Sequence, residues 1–188
     1  MTVGSILRPA AWAEVESKIR TVPEYADLGS VVVRPERVAP NWLRPLCRYV
    51  RTRRLAEIQK LVAAFDRQTI PLFEGVRIGR PESEEFLLPP PIVEIHRNQP
   101  VIIDGLHRVF ECLKSGRPEV VVALLHGSLP DLPADVLVWS DVELTGKKLP
   151  RGEKFQNFNP ANFRSIKHFI DQSDYGTETT GSPSADNH

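Results

Sequence analysis

One stretch of sixteen residues, Val101-Ile-Ile-Asp-Gly-Leu-His-Arg-Val-Phe-Glu-Cys-Leu-Lys-Ser-Gly116, constrains the fold more than any other part of the chain. Val101–Ile103 is short and β-branched, whereas Leu106, Val109, Phe110 and Leu113 recur at helical spacing. A strand therefore has to turn into a helix within one Asp-Gly step. Gly116 stands where a left-handed cap would end that helix. Upstream, Ile92–His96 reads as a strand and Arg97-Asn98-Gln99-Pro100 as a tight reversal. Downstream, Val120–Leu125 is a continuous apolar run bounded by Pro118 and Gly127, the pattern of a central strand buried on both faces. Strand, reversal, strand, helix and strand together predict an α+β fold with a small sheet.

The remainder is expected to dress this core. Pro9 followed by Trp12, Val15 and Ile19 gives a helix with one apolar stripe. Ser30–Val33 is a brief strand that Pro35 and Pro40 confine to an edge. Trp42–Asp66 has a helical pattern, with Leu55, Ile58, Leu61, Val62 and Phe65 on one face. Gly75–Glu85 is polar and turn-rich, and Pro89-Pro90-Pro91 is a stiff connector. Val136–Val142 is expected as a further strand, Gly146–Asn159 as a basic loop, and Asn162–Ile170 as a short helix with Phe163, Ile166 and Ile170 on one side. From Ser173 onward there is almost nothing to bury, so residues 173–188 read as a disordered tail. The expectation is a single domain over residues 1–172, with a helical N-terminal half and its core at about 86–142.

No apolar run approaches the ~20 residues that span a bilayer, so membrane insertion is not expected. Met1–Ala10 lacks a basic segment followed by a long apolar one, and the spacing of Cys47 and Cys112 matches no metal motif. Those features read as a cytoplasmic protein with two reduced thiols. Formal net charge is zero, so charge as a whole points neither to nucleic acid nor to membrane.

Local chemistry is more specific. The first N–H groups of a helix lack intrahelical acceptors, and aligned peptide dipoles favour an anion there. Gly105 removes a Cβ at that point, and His107 and Arg108 add donors in the first turn, so Gly105, His107 and Arg108 form a candidate phosphate grip. Asp104 as a plain helix N-cap is the alternative. Glu94 and His96 alternate with Val93 and Ile95, which puts both polar groups on one strand face; it is either solvated or directed at the Asp104 loop. In the second case Asp104 and Glu94 are candidate ligands for Mg²⁺, or bases that orient a water. Glu111, one turn after His107, could orient the imidazole or form a surface pair with it, and His126 ends the apolar strand where ligands often lie. Arg44, Arg48, Arg51, Arg53 and Arg54 form a basic cluster interleaved with Trp42 and Tyr49, in which Arg44, Arg48 and Arg51 could make one helical ridge for a nucleic-acid backbone, or else a face neutralised by Glu82–Glu85. Lys147, Lys148, Arg151 and Lys154 form a second basic patch.

The order strand, tight turn, strand, Asp104-Gly-x-His-Arg108 on a helix, Gly116, then an apolar strand resembles the ParB/sulfiredoxin superfamily over Ile92 to about His126, roughly a fifth of the chain. The resemblance implies a ParB/sulfiredoxin-like domain with a small mixed sheet that holds nucleotide phosphates at Gly105, His107 and Arg108. It implies ATP or another nucleotide as cofactor, and it puts Asp104 at an acidic position near the accepting hydroxyl or metal; with Mg²⁺ and the strand reading of Glu94, the candidate catalytic groups are Asp104, Glu94 and His107. Sulfiredoxins carry a cysteine where this chain has Leu106, so their sulfinic-acid chemistry is not expected. ParB partition proteins carry a Gly-Glu-Arg-Arg type motif followed by a helix-turn-helix domain; here Leu106-His107 replaces the Glu-Arg portion and no clear second DNA-reading module is read after Gly127, so their activity is not expected. Small stand-alone members remain: free-amino-acid kinases, and plasmid fertility-inhibition proteins of the oncogenic-suppression type. The second group implies an ATPase that acts on DNA as a nuclease and blocks conjugative transfer, with DNA on Arg44, Arg48, Arg51 and Arg54 and a component of the transfer apparatus as partner. A small-molecule hydroxyl kinase and a non-enzymatic inhibitory module are the alternatives.

Overall fold

In a computed structural model, residues 6–26, 30–80 and 83–166 are described. The fold is α+β, and its centre is a mixed four-stranded sheet in the order β2 (Val32–Val38), β8 (Val120–His126), β6 (Ile92–His96), β7 (Gln99–Asp104). Strands β6 and β8 are parallel, and the two outer pairings are antiparallel. The reversal between β6 and β7 is a two-residue turn in which Arg97 and Asn98 both take positive φ, the handedness that matches strand twist. Strand β7 passes through Gly105 into helix α4 (Leu106–Lys114), and Gly116 follows in the left-handed conformation.

Both sheet faces are covered, which is why β8 is apolar at consecutive positions. Val120, Val122 and Leu124 face one core, with Phe65, Phe73 and Val109. That side is built by α4, by α3 (Thr52–Arg67), and by a second sheet in the order β1 (Ile6–Pro9), β4 (Val76–Arg80), β5 (Ser83–Leu88). Ala123 and Leu125 face the other core, formed by Val15 and Ile19 of α1 (Trp12–Arg20) and Tyr25 of α2 (Pro23–Ala26).

Several expectations change. The Gly75–Glu85 stretch holds most of the β4–β5 hairpin rather than turns alone, because Val76 and Ile78 alternate with Arg77 and bury against the first core. Strand β2 is an edge strand as expected, yet it runs through Pro35 to Val38. The first half is mixed rather than helical, for it contributes strands to all three sheets. Trp42–Asp66 is not one helix. Pro45 disfavours helical backbone at Arg44, and Arg44 instead bridges β7, its N–H donating to Pro100 O and its carbonyl accepting from Ile102 N, both at 2.8 Å. The chain then forms β3 (Tyr49–Arg51), which pairs in parallel with β9 (Glu143–Thr145), and only at Thr52 does α3 begin. Val136–Val142 is a short 3-10 turn at 139–141, and the strand lies just beyond it. The basic loop contains a one-turn helix, α5 (Arg151–Lys154). At the C-terminal end, Pro160–Asn162 is a 3-10 turn and Phe163–Ser165 is not helical. The rest of the expected helix there, and the tail at 173–188, lie outside the described residues. No helix among the described residues is long and apolar enough to cross a membrane.

A candidate anion site where two helices begin

Pairing of β3 with β9 brings together two basic runs that lie about a hundred residues apart in sequence. Arg51, the last residue of β3, is opposite Thr145, and Arg48 N donates to Lys154 O at 2.8 Å. Arg51 is also the N-cap of α3, which opens Thr52-Arg53-Arg54 with no acidic side chain in its first turn and no side-chain cap. Basic residues at a helix start oppose the helix dipole, which favours negative charge there. The start of α4 repeats the pattern, with Gly105 as N-cap, His107 and Arg108 following, and again no acidic group or side-chain cap. At α3, where Arg53 and Arg54 stand in the first turn, a local rule is broken, as happens at functional or strained sites.

His107 ties the two starts together. Its Nε2 accepts the backbone N–H of Arg51 at 3.0 Å. Burial, and then the positive charges of Arg54, Arg51 and Lys154, push the imidazole down to about 4, so it is neutral at physiological pH. Burial also holds the Lys154 ammonium below its usual range, with Arg51, Arg151 and Lys148 adding to that against the Cys47 thiol. The Nε of Arg51 is buried without a hydrogen-bond partner. Arg54 reaches Glu57 at 3.0 Å, and the same carboxylate also lies 3.9 Å from Arg53. Positive charge is thus concentrated around two helix starts in a protein of zero net charge. A phosphate would relieve this repulsion and supply acceptors for the free N–H groups.

The other expected site residues are placed differently. Arg108 is buried beneath the loop: Nη1 donates to Pro89 O, Nη2 donates to Asp104 Oδ2 at 3.0 Å, and the guanidinium lies 5.9 Å from the Phe73 ring centre. It braces the strand–helix turn from inside, where a phosphate on the loop does not lie. Gly105 is needed for fit as well as conformation. Its φ is +87°, and a Cβ there would come within 2.7 Å of Pro91 Cβ, so the space freed by glycine is filled by the proline run. Asp104 is held by Arg108 and caps no N–H of its own helix.

Glu94 does not face solvent or the loop. It lies in the second core, fully buried, and both its oxygens are taken. Oε1 accepts from Tyr25 Oη at 2.6 Å and Arg164 Nε at 2.9 Å, and Oε2 accepts from Arg164 Nη2 at 2.9 Å and His96 Nε2 at 2.6 Å. Burial pushes the Glu94 carboxyl up, but the hydrogen bonds from His96 and Arg164 and the Arg164 charge outweigh it and hold it below its usual value. Glu94 gives both oxygens to Tyr25, Arg164 and His96, and Asp104 pairs with Arg108, so neither carboxylate is free to share one ion. The pair does not fit a Mg²⁺ site, and no group of three or more His, Cys, Asp or Glu suited to a metal occurs among the described residues. Arg164 itself had no sequence signal: its partner is 70 residues away.

Glu111 accepts from Gln59 of α3 at 3.3 Å, so its hydrogen bond joins the two helices. His126 ends β8 opposite Val32, at the end of the sheet away from Asp104. Arg44, Arg48, Arg51 and Arg54 form no helical ridge. They follow an extended path into α3, and Arg48 pairs with Glu143 at 2.7 Å. A groove of about 240 Å³ lies at the opposite ends of α3 and α4, between Asp66 and Arg117, and has no part in the basic cluster. Comparison with protein-family models, with curated proteins and with solved structures found no match to this chain.

Proposed function

We propose that this chain binds a nucleotide through its phosphates at the paired starts of α3 and α4. The first-turn N–H groups act as donors, with Arg51, Arg54 and Lys154 as the charged grip. The observation that carries the reading is the positive cluster around a neutral His107, in which the buried Nε of Arg51 has no hydrogen-bond partner. It agrees with what the ParB/sulfiredoxin resemblance implies, though the grip differs: α3 and α5 supply charge, and Arg108 braces the turn. Hydrolysis of ATP and cleavage of DNA, implied by the same resemblance, draw no support from Asp104 and Glu94, because both carboxylates are committed to arginines. Binding is therefore the proposed activity. A role in blocking conjugative transfer rests on the resemblance alone.

ATP binding to the purified protein, followed by calorimetry, tests this. Arg54→Ala and Lys154→Ala are each expected to weaken ATP by about tenfold to a hundredfold, since a hydrogen bond to a charged group contributes ~1.5–3 kcal/mol. Arg53→Ala, at a side chain that is 81% exposed, serves as control and changes affinity little. If ATP does not bind to the wild type, the site assignment is wrong.

A second reading is favoured by the extent of the surface. Arg48, Arg51, Lys148 and Arg151 continue the cluster on both sides of Lys154, and a DNA backbone could follow them. Binding of random-sequence duplex DNA should fall steeply with added salt, with a log–log slope of about −0.9 per phosphate neutralised. Lys148→Ala with Arg151→Ala should make that slope shallower by nearly two phosphates; an unchanged slope removes DNA from this surface.

A further inference from the structure

His107 is left without a phosphate to hold. Its ring lies among cations, yet its Nε2 is spent on a backbone N–H of another element. That hydrogen bond spans 56 residues and joins the second residue of α4 to the N-cap of α3. We propose that His107 is a positioning residue of the phosphate site: its imidazole is a latch that sets the start of α3 against the start of α4, and it opens when Nε2 takes a proton.

The chemistry follows from the ring. A neutral imidazole has one nitrogen that accepts and one that donates. Acceptance at Nε2 places the remaining proton on Nδ1. A proton on Nε2 turns the acceptor into a donor facing the Arg51 N–H, and the bond is lost. Three elements face the ring with positive charge: Arg51 from β3, Arg54 from α3 and Lys154 from α5. Within its own helix, Arg108 is turned toward Asp104 and Pro89, and Glu111 accepts from Gln59. Nothing in that set favours the charged ring, so the latch is closed at neutral pH. With the latch closed, the buried Nε of Arg51 lies beside the helix starts it serves.

The latch rests on the phosphate reading and predicts a behaviour opposite to that of a charged ligand. A protonated histidine that held phosphate would strengthen anion binding as pH falls. A latch weakens it. Pyrophosphate is the probe at pH 7, and sulfate, a dianion throughout, is the probe from pH 7 to 4. His107→Gln keeps an acceptor near the position of Nε2 and cannot be protonated. His107→Phe keeps the ring volume without an acceptor. The expected results are pyrophosphate affinity within about twofold of wild type for His107→Gln and at least about tenfold weaker for His107→Phe. Sulfate binding to the wild type should weaken by about twofold near pH 4, where half the rings are protonated, while His107→Gln follows a flat profile. Imidazole nitrogen shifts of the free protein should show the Nδ1–H tautomer at pH 7.

The latch is overturned if His107→Phe binds pyrophosphate like the wild type, or if sulfate binds the wild type more tightly as pH falls. A wild type that takes up neither anion overturns the phosphate reading, and the latch with it. If His107→Phe does not fold, the sulfate profiles of the wild type and His107→Gln decide alone.

Discussion

Arg164→Met lowers the stability of the protein by about 3–5 kcal/mol in urea unfolding followed by tryptophan fluorescence, the usual cost of breaking a buried ion pair on one side. Arg164 and Glu94 have side chains 1% and 0% exposed, so the carboxylate left behind cannot turn to water. The guanidinium also donates to the carbonyls of Pro130, Asp131 and Asn162, which would lose those donors. A surface pair behaves differently. Arg48 and Glu143, 53% and 52% exposed, lie at the same short range, yet Arg48→Ala should leave the urea midpoint close to that of wild type. The ratio between these two effects is the test. If Arg164→Met stays within 1 kcal/mol of wild type, the network around Glu94 does not hold the C-terminal segment to the sheet.

Acid should weaken the fold well before its carboxylates titrate. An ordinary histidine titrates near 6.5, whereas His107 is pushed down to about 4 by burial and its cationic neighbours. Between these values the unfolded chain binds a proton that the folded protein refuses, so stability falls as pH falls from 6.5 to about 4 and is independent of this group above 6.5. The full difference is on the order of 3 kcal/mol. Glu94 acts in a lower window. Its carboxyl is held below the usual 4.5, so its contribution is complete above that value and disappears as pH drops through the lowered one. Urea midpoints measured at intervals from pH 7 to 4 for wild type and His107→Gln separate the two. The variant should lose most of the slope between 6.5 and 4; an identical slope would mean that His107 titrates normally.

The segment from Ile92 to His126 was legible because its own strand, turn and helix signals lie within one short stretch of sequence. Period-two strands, a reversal and an Asp-Gly junction are local signals, and they produced β6, β7, α4 and β8 with little error. Arg44–Arg51 was misread because charged residues three and four apart also suit an extended path, and the partner that makes β3 a strand lies near residue 144. Pro45 was the overlooked clue. The site was half visible. His107 was identified, but only the fold shows that Arg51 supplies its hydrogen bond and that Lys154 is near it. The arginines in the first turn of α3 could have been recognised as an unfavourable helix start. Glu94 was assigned to the wrong environment because alternation tells which residues share a face and is silent on what covers it.

The main sheet is closed to strand addition at both margins. On one side Pro35 removes a donor from β2, and Arg34, Glu36 and Arg37 line the same strand with charge. On the other, the backbone of Arg44 occupies the outer hydrogen-bonding groups of β7 at Pro100 and Ile102. Edge-to-edge stacking of this sheet is therefore disfavoured on both sides by the chain's own residues.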